Sequence, residues 1–140
     1  MSTTAAVISP KSRMSVVLWI AQILVAILFC FAGFLKLTSP IPQLAAMIPW
    51  TGQSPETFVR ILGAVDLAGG IGILLPAATR ILPSLTVIAA LGCSVLQVFA
   101  IAFHSSRGEF GVLPLNFVLL PLAIFVFWGR WKKAPIEGRF

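Results

Sequence analysis

Four long apolar runs, separated by short polar or proline-rich stretches, set the pattern of this chain. Val16 to Leu35 is 20 residues without a charge, enough to cross a hydrocarbon core of about 30 Å as an α-helix. Glu56 to Leu75 is a second run, interrupted by Arg60 and Asp66. Ile81 to Phe103 adds 23 uncharged residues, and Val112 to Trp128 is a shorter fourth run. The pattern predicts an all-α integral membrane protein, an antiparallel four-helix bundle with spans at about 16–37, 56–75, 81–103 and 112–128. Residues 1–15 read as a polar start and residues 131–140 as a loose basic tail. The first run follows Lys11 and Arg13, as a signal peptide would. It exceeds the usual apolar region of about 7–15 residues, and FCFAGFLK makes a poor cleavage site, so a retained first helix is expected.

Punctuation between the runs sets the expected boundaries. The connector Thr38 to Pro55 holds Pro40, Pro42, Pro49 and Pro55, with Trp50 suited to a membrane interface. Ser54 is the candidate N-cap of the second helix, Pro55 suits its first turn, and Glu56 complements the helix dipole. That helix is expected to stop near Leu75, with a tight turn from Pro76 to Arg80. Pro83 is tolerable in the first turn of the third helix, and Pro121 should kink the fourth. His104 to Gly111 is a polar turn.

Polar and small residues recur on single helical faces. Gln22, Ala26, Phe29, Gly33 and Lys36 follow steps of 4, 3, 4 and 3, and Ala90, Cys93, Gln97, Ala100 and His104 steps of 3, 4, 3 and 4. Gly63, Asp66 and Gly70 share a face of the second helix, beside a row of Ala64, Ala68 and Gly72. Lipid offers such groups no partner, so these faces should meet inside the bundle.

Composition narrows the class. Hydrophobic residues make up 59% of the 140 and charged residues only 10%, with a mean hydropathy of +1.02. That is one compact unit too apolar for an ordinary soluble domain. The net charge of +6 is no nucleic-acid footprint, because the basic residues sit at the ends of apolar runs without interleaved aromatics. Lys11, Arg13, Arg80, Arg130, Lys132, Lys133 and Arg139 fall on one side, and Lys36, Arg60 and Arg107 on the other. The positive-inside rule then predicts both termini in the cytoplasm. Cys30 and Cys93 lie in apolar runs without metal-ligand spacing and read as packing residues; a disulfide between them is allowed but not required.

Candidate chemistry centres on Asp66, since an acid at a bilayer centre costs about 2.5–3.5 kcal/mol on insertion scales. A neutral carboxyl bonded to Gln22, Gln97 or a backbone carbonyl, a binding or proton-handling group in a cavity, and a lipid-facing acid all remain open. Lys36, Arg60, His104, Arg107, Glu109 and Asn116 map to the outer helix ends, with Gln97 below His104. Together they suggest an outward-facing polar pocket. Glu56 and Arg60 fit an i, i+4 ion pair. A lone His104 suits capping, headgroup contact or hydrogen bonding to a quinone, and supports no metal site. No phosphate-binding glycine loop, nucleophile elbow or haem attachment motif is present, so no catalytic residue is assigned.

FAGFLKLTSP, LGAVDLAGGIGILLPAATR and HSSRGEF…LNFVLLPLAIFVFWGR resemble the DoxX-like family of small bacterial membrane proteins, over about residues 16–130. Relatives usually carry Glu where this chain has Asp66. The resemblance implies a four-helix inner-membrane protein with functional positions at Lys36, Asp66, Arg80, Arg107, Glu109 and Asn116. It also implies a link to membrane redox systems that use quinone as acceptor. The expected role is an accessory or quinone-interacting subunit with no cofactor of its own. The alternatives are a scaffold or chaperone for partner membrane proteins and a small-solute carrier acting as a homo-oligomer. Expected partners are the lipid bilayer, a quinone or lipid ligand, and another membrane protein, but no nucleic acid.

Overall fold

The fold is that of a computed structural model describing residues 10–111 and 113–138. The side chain of Lys11, most of the polar start, and Arg139 lie outside the described residues. Five α-helices follow one another: α1 Pro10–Thr38, α2 Ile41–Met47, α3 Glu56–Thr79, α4 Ser84–Ser106 and α5 Leu113–Trp128. A 3-10 turn, Pro49–Gln53, joins α2 to α3, and a single π-helical turn, Gly129–Lys133, continues α5. Four segments, Ser12–Thr38, Glu56–Thr79, Ser84–Ser106 and Leu113–Lys133, are long and apolar enough to cross a membrane.

Buried positions fall where the seams placed them. Gln22, Ala26, Phe29 and Gly33 of α1, Gly63, Asp66 and Gly70 of α3, and Ala90, Cys93 and Gln97 of α4 are all buried. On α5 the buried stripe is Leu113, Asn116, Leu119, Ala123 and Val126. Apolar members of the four stripes form the main core, with Val25, Phe29, Ile73 and Leu119 among them. Large side chains point the other way: Ile88 is 62% exposed and Phe99 68%, as expected of surfaces that face acyl chains. The Ala64, Ala68, Gly72 row departs from expectation, because Ala64 and Ala68 are exposed while the Gly63–Asp66–Gly70 face takes the interior.

Helix α3 packs against α1 through its glycines. A methyl group at Gly33 would lie 2.6 Å from the Gly63 carbonyl oxygen, and one at Gly70 would lie 2.5 Å from Cys30 Sγ and 2.9 Å from the Ala26 carbonyl. Gly69 and Gly72 meet Cys93 and Ala89 of α4. Cys30 and Cys93 are free thiols. They serve as small packing groups beside α3.

Several boundaries differ from the sequence-based expectations. Helix α3 does not stop at Leu75 but runs through Pro76 to Thr79. Proline removes one hydrogen bond, and packed membrane helices tolerate that loss. Termination falls instead to Arg80, whose φ of 57° is left-handed, followed by Leu82 at 48°. Pro55, not Ser54, takes the position before α3, with no side-chain cap. Helix α4 starts at Ser84, later than Ile81. The connector is not a plain loop: Pro42 in the first turn of α2 and Pro49 in that of the 3-10 turn favour local helix. Leu44, Trp50 and Val59 then bury together as a second cluster. The C-terminal segment is tied down at its start, with Ala134 buried and its amide bonded to the Gly129 carbonyl at 2.7 Å.

Candidate functional site

Asp66 meets a cation. Lys36 Nζ lies 2.6 Å from Asp66 Oδ2, with the two side chains 15% and 8% exposed. The partners expected for a neutral acid are therefore replaced. Gln22 is engaged farther along the bundle, where it donates to the Ile73 carbonyl at 2.8 Å and accepts from Arg130 Nε at 2.6 Å. Lys36 reaches Asp66 because it does not sit at the rim. Its Cβ packs against Gly63, seven residues and so about 10 Å below Glu56 along α3. One more turn of α3 brings Asp66 level with the ammonium group.

The connector roofs this pair. Trp50, 5% exposed, places its ring 5.8 Å from Lys36 Nζ and meets Phe103 of α4 edge-on at 5.7 Å. Arg60 donates to the Lys36 and Ser39 carbonyls, each at 2.8 Å, capping the end of α1. It also makes the expected ion pair with Glu56 at 3.1 Å. Arg107 donates to Glu109 Oε1 at 2.6 Å and to Gln53 Oε1, fastening the turn after α4 to the 3-10 turn. His104 Nδ1 lies 3.5 Å from Glu109 Oε1.

Three of the expected residues carry buried polar atoms without hydrogen-bond partners: Gln97 Oε1, His104 Nδ1 and Asn116 Nδ2. Gln97 and His104 share the inward face of α4, and Asn116 opens the buried stripe of the adjoining α5. Leaving such an atom unsatisfied costs about 1–3 kcal/mol, and His104 Nδ1 has at least the Glu109 carboxylate within ion-pair reach. Arg80 does not join them: it lies in the turn after α3, at the other end, lining a cleft with Ala77 and Ser12. Among the described residues no group of three or more His, Cys, Asp or Glu converges to hold a metal.

Sequence reasoning missed two participants. The sequence marks Trp50 as an interfacial aromatic, and its place between four prolines marks a connector able to pack. Arg130 counts in the sequence as a topology charge, yet it is 3% exposed; its register, four residues beyond Val126, continues the α5 stripe.

Four lipid-length helices around an enclosed ion pair define a small multi-pass membrane protein. Residues 20–126 match the model of the DoxX-like family, and the chain belongs to it. No curated protein matches the chain, and neither does any solved structure.

Proposed function

We propose that this protein resides in the bacterial inner membrane with its spans antiparallel and both termini cytoplasmic. There it binds the polar head of a lipophilic molecule, a quinone, as an accessory subunit of a membrane redox system. The observation that carries the reading is the pair of unpartnered buried amide atoms, Gln97 Oε1 and Asn116 Nδ2, on helices that also carry His104, whose Nδ1 has only Glu109 within ion-pair reach. Asn116 Nδ2 would donate to a quinone carbonyl, and Gln97 Oε1 would accept from the hydroxyl of the reduced form. Lys36 and Asp66 set the field at the inner wall. The Trp50 roof and the Arg107–Gln53 tie would have to part for a headgroup to enter from the outer leaflet. The antiparallel arrangement is supported by the order of contacts, Gln22 with Ile73 and Lys36 with Asp66.

Quenching of tryptophan fluorescence by a short-chain ubiquinone, with protein in nanodiscs, tests the reading. Wild type should quench saturably. Gln97→Leu or Asn116→Leu should weaken the half-saturating concentration about fivefold to tenfold, the worth of one hydrogen bond in a buried site. Quenching that never saturates, or that is identical in the variants, overturns it.

A scaffold role has one observation in its favour: Lys36 and Asp66 satisfy each other and pin α1 to α3. Complementation retained by Asp66→Leu paired with Lys36→Met would shift the assignment to that role. Solute uptake into proteoliposomes would instead mark a carrier.

A further inference from the structure

The other end of the bundle carries a second polar feature that the proposed quinone site does not use. Arg130 is buried, and its hydrogen-bond partners among the described residues are neutral. It donates from Nε to Gln22 Oε1 at 2.6 Å and from Nη1 to Ser15 Oγ and the Ala134 carbonyl, each at 3.0 Å. Its Nη2 donates to the Ser15 carbonyl at 3.3 Å, and the guanidinium lies 5.2 Å from the Trp19 ring. Of five guanidinium N–H groups, four are used and one on Nη2 remains. No carboxylate pairs with Arg130 among the described residues. Asp66, Glu56 and Glu109 are paired at the opposite end, and Glu137 is exposed in the C-terminal segment. A buried cation without a counter-ion is costly.

Arg130 also lines an open cleft of about 390 Å³. Facing it are Ser84 and Thr86, in the first turn of α4. Thr86 is 1% exposed, and its Oγ1 has no hydrogen-bond partner. The start of a 23-residue helix adds a positive dipole end, its Leu85 and Thr86 amides being already bonded to the Leu82 and Pro83 carbonyls. Leu82, Val87 and Trp131 supply apolar walls to the same cleft, and Lys132 and Lys133 follow on the chain. A buried cation without a carboxylate partner among the described residues, an unbonded hydroxyl and a helix N-terminus border one cleft together with apolar side chains.

We propose that the Arg130–Thr86 cleft is a binding site for the phosphate of an anionic membrane lipid, the acyl chains lying along the apolar flank of α4. A lipid rather than a free phosphate is favoured because the cleft joins the end of a spanning helix to exposed apolar surface, Leu85 and Ile88 among it. At that level the headgroups of one leaflet supply phosphate permanently.

Native mass spectrometry of the full chain, released from phosphatidylcholine nanodiscs containing a minor fraction of phosphatidylglycerol, tests the assignment. Wild type should retain one phosphatidylglycerol in strong preference to phosphatidylcholine. Thr86→Val, nearly isosteric, should cut that retention several-fold without lowering the unfolding temperature, because it removes a buried hydroxyl that has no partner. Arg130→Lys should reduce it further, and if that variant fails to fold, Thr86→Val alone decides. Inorganic phosphate in excess should not displace the lipid. Equal retention by wild type and Thr86→Val, or no preference for phosphatidylglycerol, overturns the proposal. Displacement by inorganic phosphate overturns it too, assigning the cleft to a soluble anion. None of these results bears on quinone quenching, so the two sites stand or fall separately.

Discussion

At the residue scale, the Lys36–Asp66 pair decides what the charged residues inside α1 and α3 mean. Two opposite charges at 2.6 Å in a poorly hydrated interior attract each other strongly, whereas either one alone would face the desolvation cost by itself. Lys36→Met should therefore destabilise strongly, by an amount of the order of the 3–5 kcal/mol seen when a buried pair is broken. The double variant Lys36→Met with Asp66→Leu should recover most of the loss, because it strands no charge. Thermal unfolding in nanodiscs reads both, and a double variant no better than the single would show that the pair is not what stabilises. Asp66 was legible in the sequence as an inward-facing acid, since Gly63 and Gly70 share its face. Its partner was not, because Lys36 lies 30 positions away and its depth depends on how far α3 rises beyond the end of α1.

At the scale of elements, glycine placement governs how closely helices approach. Gly33→Ala and Gly70→Ala each force a methyl against neighbouring backbone, at 2.6 Å from the Gly63 oxygen and 2.9 Å from the Ala26 oxygen. Both should lower the unfolding temperature and, if α1 and α3 separate, expose Cys30 to a membrane-permeant maleimide. Gly92 has nothing within 4 Å of such a methyl. Gly92→Ala should be neutral or stabilise by up to about 1 kcal/mol through helix propensity. Equal effects at all three positions would refute close packing of α1 on α3. The connector is a further element with a role: Trp50→Ala removes the ring beside Lys36 and should speed exchange of a bound quinone while leaving the four spans intact. Release of a radiolabelled short-chain quinone, followed by rapid filtration, measures that rate.

At the scale of the molecule, polar groups gather at both ends and the apolar core separates them. One end holds Lys36, Asp66, His104 and Asn116 under a roof; the other holds Arg130, Thr86 and Arg80 around open clefts. Basic residues concentrate at the second end, the one the proposed topology puts on the cytoplasmic side. A cytoplasm-active reporter fused after residue 138 should then be active, and the same reporter inserted at Gly108 should not. Activity at Gly108 alone would invert the topology and with it the leaflet assigned to each site.

By itself the sequence determined the class, the number of spans and the inward seams of α1 and α4. Those follow from hydropathy and from the 3.6-residue period, which are local properties of the chain. The buried stripe of α5 and the choice between the two small-residue rows of α3 came from the structure. Only the tertiary structure decided who meets whom: Lys36 with Asp66, Gln22 with Arg130, Trp50 over the pair. Such meetings depend on the relative height of neighbouring helices, and that height is fixed by glycine contacts and by a folded connector that no single helix encodes.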